Sequence, residues 1–285
     1  MPGTFSDSWK LTKTSFRLIR EDRALLVFPL VAGLSILGVL VLMIVGEFFL
    51  FRSGAYSGGS EAAGVGLFLL AYLGMVFLSV YCTAALIGAA TLKLNGQQPT
   101  AADGWKVARG RIGRLVIWAV VSATVGLVIQ LISSRIRGVG GLLIGLAGGV
   151  AWTVVTYFMI PVLLYEDQRP WPALKRSTRL FTSTFGKTLV SNLVLGLLLV
   201  AGLVVVVVLI IVSVLLFVGG SIVLGFVCLG LGIAVGVMVA LIGATAEGIL
   251  RAALYRYATT GKIDPELMPA AYRQASVGAA PLPPF

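Results

Sequence analysis

The sequence predicts an all-α polytopic membrane protein. Six transmembrane helices form three hairpins, each preceded by a basic amphipathic interfacial helix. Three observations carry this. The 285 residues are 58% hydrophobic and 12% charged, whereas a soluble domain carries about 25% charged residues. The apolar residues gather into six runs, each long enough to cross a hydrocarbon core of about 30 Å. Of 22 Lys and Arg residues, 19 fall in the N-terminal segment, the second and fourth loops and the C-terminal tail; only Arg52, Arg135 and Arg137 fall in the alternate loops. Such an excess marks the cytoplasmic side of a membrane protein. An even number of spans then places both termini in the cytoplasm.

Residues 1–23 hold Lys10, Lys13, Arg17, Arg20 and Arg23 and read as the first interfacial helix. The apolar run from Ala24 to Gly46 is long enough for a span of about 20 residues. It is too long for the core of a cleavable signal peptide. A polar, Gly-containing loop, 47–63, leads to the second span, 64–92. The loop 93–114 carries five basic residues and one acid. Spans three and four cover 115–134 and 139–165, joined by a short connection. The loop 166–187 again carries five basic residues.

Thr188 to Ala246 is 59 residues without a charge. One helix of that length would reach about 88 Å, so two spans are required, 188–218 and 221–250, with Gly219-Gly220 as the turn. The cytoplasmic tail is 251–285. Arg251–Thr260 continues the last helix, Gly261 stops it, and the Pro-rich end is disordered. A membrane barrel would need alternating apolar and polar residues, and these runs are apolar on every side.

The segments before the first, third and fifth spans look alike: Asp7-Ser8-Trp9-Lys10, Asp103-Gly104-Trp105-Lys106, and a departing copy around Trp171-Pro172-Ala173-Leu174-Lys175-Arg176. At helical spacing Phe5, Trp9, Thr12, Phe16 and Ile19 share a face, with Lys10, Lys13, Arg17 and Arg20 beside it. Trp105, Ala108 and Ile112 repeat this beside Lys106 and Arg109. Trp171, Leu174, Phe181 and Phe185 do so beside Lys175 and Arg179. Helices of this kind lie in the interface with aromatic rings down and basic groups toward phosphate. Trp9, Trp105 and Trp171 are the expected anchors. Lys10, Lys13, Arg17, Arg20, Lys106, Arg109, Lys175 and Arg179 are the expected lipid-headgroup contacts.

Glu21-Asp22-Arg23-Ala24-Leu25-Leu26-Val27-Phe28-Pro29-Leu30 resembles the N-terminal signature of an uncharacterised prokaryotic six-span membrane family. Glu247-Gly248-Ile249, Ala253-Leu254-Tyr255-Arg256-Tyr257-Ala258 and Gly261 resemble its C-terminal signature. The middle, Ile160-Pro161-Val162, Glu166-Asp167 and Ala173-Leu174-Lys175-Arg176-Ser177, is similar to a wider set that includes the membrane domain of some glycerophosphodiester phosphodiesterases. The resemblance implies architecture and carries no activity.

Chemistry is sparse. With no histidine, a Ser/His/Asp triad cannot be built. No acidic pair lies inside a span, and the Gly-rich stretches lack the Lys-Ser/Thr ending of a phosphate loop. No cofactor and no metal site is expected. Cys82 and Cys228 lie inside spans and read as small packing residues. Glu247 adjoins a long apolar run with Arg251 four residues on, a candidate functional ion pair. Gly141, Gly145 and Gly149, and likewise Gly232 and Gly236, let helices approach closely. Pro161 is expected to kink the fourth span. Gln130 and Asn192 are expected to hydrogen-bond between helices.

The pI of 10.1 goes with basic residues that flank apolar spans rather than form a soluble basic domain, so the expected counter-ion is anionic lipid and not nucleic acid. The expected role is a non-enzymatic membrane scaffold that organises lipid or partner proteins, a second copy of the chain among them. The alternative is a transporter or channel for a lipid-like or apolar molecule.

Overall fold

The computed structural model describes residues 23–52, 61–136 and 138–260. These form a short 3-10 turn, Arg23–Leu26, and eight α-helices: α1 (Val27–Arg52), α2 (Glu61–Leu94), α3 (Ala101–Arg109), α4 (Ile112–Arg135), α5 (Val139–Thr156), α6 (Met159–Tyr165), α7 (Pro170–Val218) and α8 (Ile222–Thr260). No strand occurs among the described residues. Six stretches are long and apolar enough to cross a membrane: Ala24–Arg52, Gly64–Leu94, Ile112–Arg135, Val139–Tyr165, Leu199–Val218 and Ile222–Thr259. The protein is a multi-pass helical membrane protein. The polar loop expected over 47–63 is helical at both ends, since α1 runs on to Arg52 and α2 starts at Glu61.

The chain divides into two compact units, Val27–Ser183, and Met1–Leu26 together with Thr184–Phe285. In the first, α2 packs against α1, α3, α4 and α6. Its core lies at one end. Ala84, Ala85, Leu86, Ile87, Ala89 and Ala90 near the end of α2 are buried, as are Leu115, Trp118 and Ala119 early in α4 and every residue of α6 from Met159 to Leu164. Toward the other end Leu42, Phe51, Leu70, Leu131 and Leu142 are exposed. Hydrocarbon covers such side chains as well as protein does, so no hydrophobic force draws those segments together. The packed end is the one that carries the second and fourth basic loops.

Three turns follow from sequence. After α2, Gly96 has φ +80°, its N–H donates to the Lys93 carbonyl, and Gln97 N–H donates to that of Leu92. After α7, Gly220 has φ +80°, its N–H donates to Phe217 and Ser221 N–H to Leu216. Both are Schellman caps, which need a residue in the left-handed region, and glycine reaches it without strain. Gly219-Gly220 is thus the turn the uncharged run requires.

The third turn breaks the fourth span between α5 and α6. Pro161 has no N–H to donate and its ring clashes with the preceding turn. Two backbone groups at the break are met from α7: Phe158 N–H donates to Ser177 Oγ at 3.1 Å, and the Ser177 hydroxyl donates to the Val155 carbonyl at 2.8 Å. Ser177 is fully buried.

Glycine contacts show how the helices approach. A Cβ on Gly141 would run into the Ile136 carbonyl oxygen and lie 2.5 Å from that of Ser133 in α4, and one on Gly145 would lie 3.3 Å from Ser133 Cβ. Gly149, expected to continue that series, faces open space; Gly148 takes its place, 3.3 Å from Ile129 Cγ2. Glycines need not keep a strict four-residue step where two helices diverge. In the second unit Gly232 meets Leu209 at 3.3 Å and Gly236 meets Val206 at 3.6 Å, so α7 and α8 pack closely. Gln130 is exposed near the end of α4, which removes it from the helix contacts expected of it. The side chain of Asn192 lies outside the described residues.

Candidate functional site

The packed end of the Val27–Ser183 unit is built on α3. Its start is fixed by Thr100, whose N–H and hydroxyl both donate to Asp103 Oδ2, at 2.9 and 2.7 Å. This reciprocal contact sets the first turn and holds the Asp103 carboxyl below its ordinary range. One residue on, a Cβ on Gly104 would lie 2.6 Å from the Ala85 carbonyl oxygen and 2.6 Å from the Phe28 ring. Only glycine permits that approach.

Trp105 then packs on Phe28 and Tyr81, with ring centroids at 5.2 and 5.4 Å. The anchor expected to face lipid spends much of its ring on protein. The helix ends at Arg109, so Ile112 belongs to α4 and does not extend the face of Trp105 and Ala108. Lys106 and Arg109 are exposed.

The third copy differs again. Residues 170–183 form no separate helix but the first turns of α7, which continues to Val218. Its buried face is Ala173, Ser177, Leu180 and Phe181. Trp171 is 69% exposed and shares the exposed face with Lys175 and Arg179. The expectation that Trp171 lines up with Phe181 is therefore corrected: four-residue steps place it with the cations. Arg169, just before α7, is exposed too.

Between α3 and α7 lies an ion-pair cluster. Arg111 Nη1 donates to Asp167 Oδ1 at 2.9 Å, and Arg114 Nη2 pairs with the same oxygen. Arg111 Nε donates to the Leu164 carbonyl at 3.3 Å and Arg114 Nη1 to that of Glu166 at 3.5 Å. Arg176 Nε donates to Glu166 at 3.2 Å, and Gln168 donates to Glu166 at 3.1 Å. The contact with Arg114, reinforced by Arg111, holds the Asp167 carboxyl below the usual carboxylate range. Arg111, just before α4, and Arg114, in its first turn, sit against the positive pole of the helix, which raises the demand for an anion there.

Sequence spacing does not reveal this cluster, because Arg111 and Asp167 are 56 positions apart. The middle motif with Glu166-Asp167 and Arg176-Ser177 was its one visible trace. The cluster and the exposed cations Lys106, Arg109, Arg169, Lys175 and Arg179 belong to one unit. Lys10, Lys13, Arg17, Arg20 and Trp9 lie outside the described residues.

In the second unit Glu247 and Arg251 pair on α8 as their spacing implies. Among the described residues no group of three His, Cys, Asp or Glu side chains gathers as metal ligands would.

The model of a family of unknown function matches residues 62–264, from the first turn of α2 to beyond the end of α8. The chain belongs to DUF6159. The part matched to DUF6159 holds α3, the Arg111–Asp167–Arg114 cluster, the Pro161 break and the Glu247–Arg251 pair; the signature at Glu21–Leu30 lies ahead of it. No curated protein and no solved structure matches the chain, so the similarity of the middle stretch to phosphodiesterase membrane domains gains no support.

Proposed function

We propose that this DUF6159 protein is a non-enzymatic membrane protein that organises anionic lipid, or partners held through it, at the cytoplasmic face of a prokaryotic plasma membrane. One observation carries the reading. The end of the Val27–Ser183 unit that is packed internally is also the end that exposes Lys106, Arg109, Arg169, Lys175 and Arg179. On α7 the exposed stripe combines Trp171 with Lys175 and Arg179. An aromatic ring beside cations suits the headgroup layer, where each basic group contributes about 1 kcal/mol toward an anionic surface.

In this reading the basic end is cytoplasmic, and a positive-inside bias supports that orientation. Any kinship with the membrane domain of glycerophosphodiester phosphodiesterases would extend to architecture alone. The competing role, a lipid transporter, makes a different prediction. Reconstituted into vesicles with a fluorescent phospholipid, the protein should not move lipid between leaflets faster than protein-free vesicles do, and it should slow the lateral diffusion of anionic lipid. Rapid translocation would replace the scaffold reading with the transporter.

A further inference from the structure

We propose that Arg111 and Arg114 form a phosphate-binding pair for the headgroup of an anionic lipid, with Asp167 as its built-in competitor. This rests on the reading of the basic end as a lipid-facing surface and names the site within it.

The two guanidinium groups are positioned without help from Asp167. Arg111 Nε is held by the Leu164 carbonyl at 3.3 Å and Arg114 Nη1 by the Glu166 carbonyl at 3.5 Å. The Leu164 carbonyl lies in the last turn of α6, where a helix leaves acceptors without internal partners; that of Glu166, just beyond the helix, also accepts from Gln168 N–H at 2.7 Å. The remaining edges of both groups converge on one atom, Asp167 Oδ1. The arginine side chains are 36% and 26% exposed, while that of Asp167 is 76% exposed. The cations are thus partly sheltered, each with a carbonyl contact of its own, and the anion between them stands in the open.

A single carboxylate oxygen serves two guanidinium groups and leaves one positive charge unmatched. A phosphodiester brings two non-bridging oxygens that share its charge, the geometry that guanidinium forks match best. Glu166, the other acid of the turn, is engaged by Arg176 and Gln168. The pair lies where the apolar run of α4 begins, the level at which the proposed reading puts lipid headgroups.

The test uses the full chain in zwitterionic detergent, titrated with phosphatidylglycerol, phosphatidylcholine or inorganic phosphate and read by native mass spectrometry. Asp167→Asn keeps every cation and both carbonyl contacts. It should tighten phosphatidylglycerol retention about two- to fivefold, the strength of the exposed ion pair it removes. Glu266→Gln changes net charge equally and should leave retention unchanged. Arg111→Gln with Arg114→Gln should weaken retention about tenfold, as loss of charge-assisted hydrogen bonds implies.

Unchanged or weaker retention by Asp167→Asn, or an equal gain from Glu266→Gln, would overturn the site. Inorganic phosphate bound more tightly than phosphatidylglycerol would overturn the lipid as its source. A preference for phosphatidylglycerol that survives loss of both arginines and disappears in K106Q/R109Q/K175Q/R179Q would leave the surface reading standing and remove the site. No preference over phosphatidylcholine in the unmodified protein would remove both.

Discussion

Ser177 shows how one side chain can hold a bend that a proline creates. Its hydroxyl accepts from Phe158 N–H and donates to the Val155 carbonyl, one on each side of the break between α5 and α6. Ser177→Ala removes the partner of the buried Phe158 N–H, a cost of about 1–3 kcal/mol. The melting temperature of the detergent-solubilised protein should fall clearly, and an unchanged value would show that another group fills the break. Asp167 makes a pH-dependent contribution of known sign. Its folded carboxyl is held below its ordinary value of about 3.9 by Arg114 and Arg111. The stabilisation is therefore present above that value and lost as pH falls through the lower, folded one. Thermal melts should show a gap between the unmodified protein and Asp167→Asn that is constant from pH 5 to 8 and closes on further acidification. A gap that instead changed between pH 5 and 8 would assign the effect to another group. Neither role was legible from residue identity: Ser177 reads as an ordinary helix serine until α5 and α7 are seen side by side.

At the scale of elements the sequence was most informative where solvent dictates structure and least where helix meets helix. Six apolar runs and the Gly219-Gly220 turn were legible because length against bilayer thickness and the left-handed φ of a helix cap leave few alternatives. The role of Asp103-Gly104-Trp105-Lys106 was legible only in part. Its repeat suggested a helix lying on lipid, yet Asp103 caps, Gly104 permits contact with Ala85, and Trp105 packs on Phe28 and Tyr81. Of these four residues Lys106 alone is exposed. A periodic pattern shows that a face is apolar and does not show what covers it. The glycines of α5 sharpen the point, because Gly141 and Gly149 are equivalent by spacing and opposite in surroundings. Gly141→Ala should destabilise the protein by about 1–3 kcal/mol, since backbone atoms cannot yield as a side chain can. Gly149→Ala should be neutral or stabilising, as alanine is the better helix former by about 1 kcal/mol. Equal effects of the two in a thermal melt would contradict the packing of α4 on α5.

For the whole molecule, the uneven distribution of charge and the uneven distribution of packing coincide. Basic residues lie where the Val27–Ser183 unit has its core, and the opposite span ends are clothed in exposed apolar side chains. A buried end resists deformation, and an exposed apolar end leaves its contacts to lipid. The protein would then hold its cations in fixed positions against the headgroup layer. The most direct measurement is the composition of the lipid shell carried with the protein on extraction into polymer-bounded nanodiscs. The account predicts enrichment of anionic lipid over the parent membrane, and loss of most of that enrichment in the variant K106Q/R109Q/K175Q/R179Q. A shell with the parent composition around both proteins would contradict it.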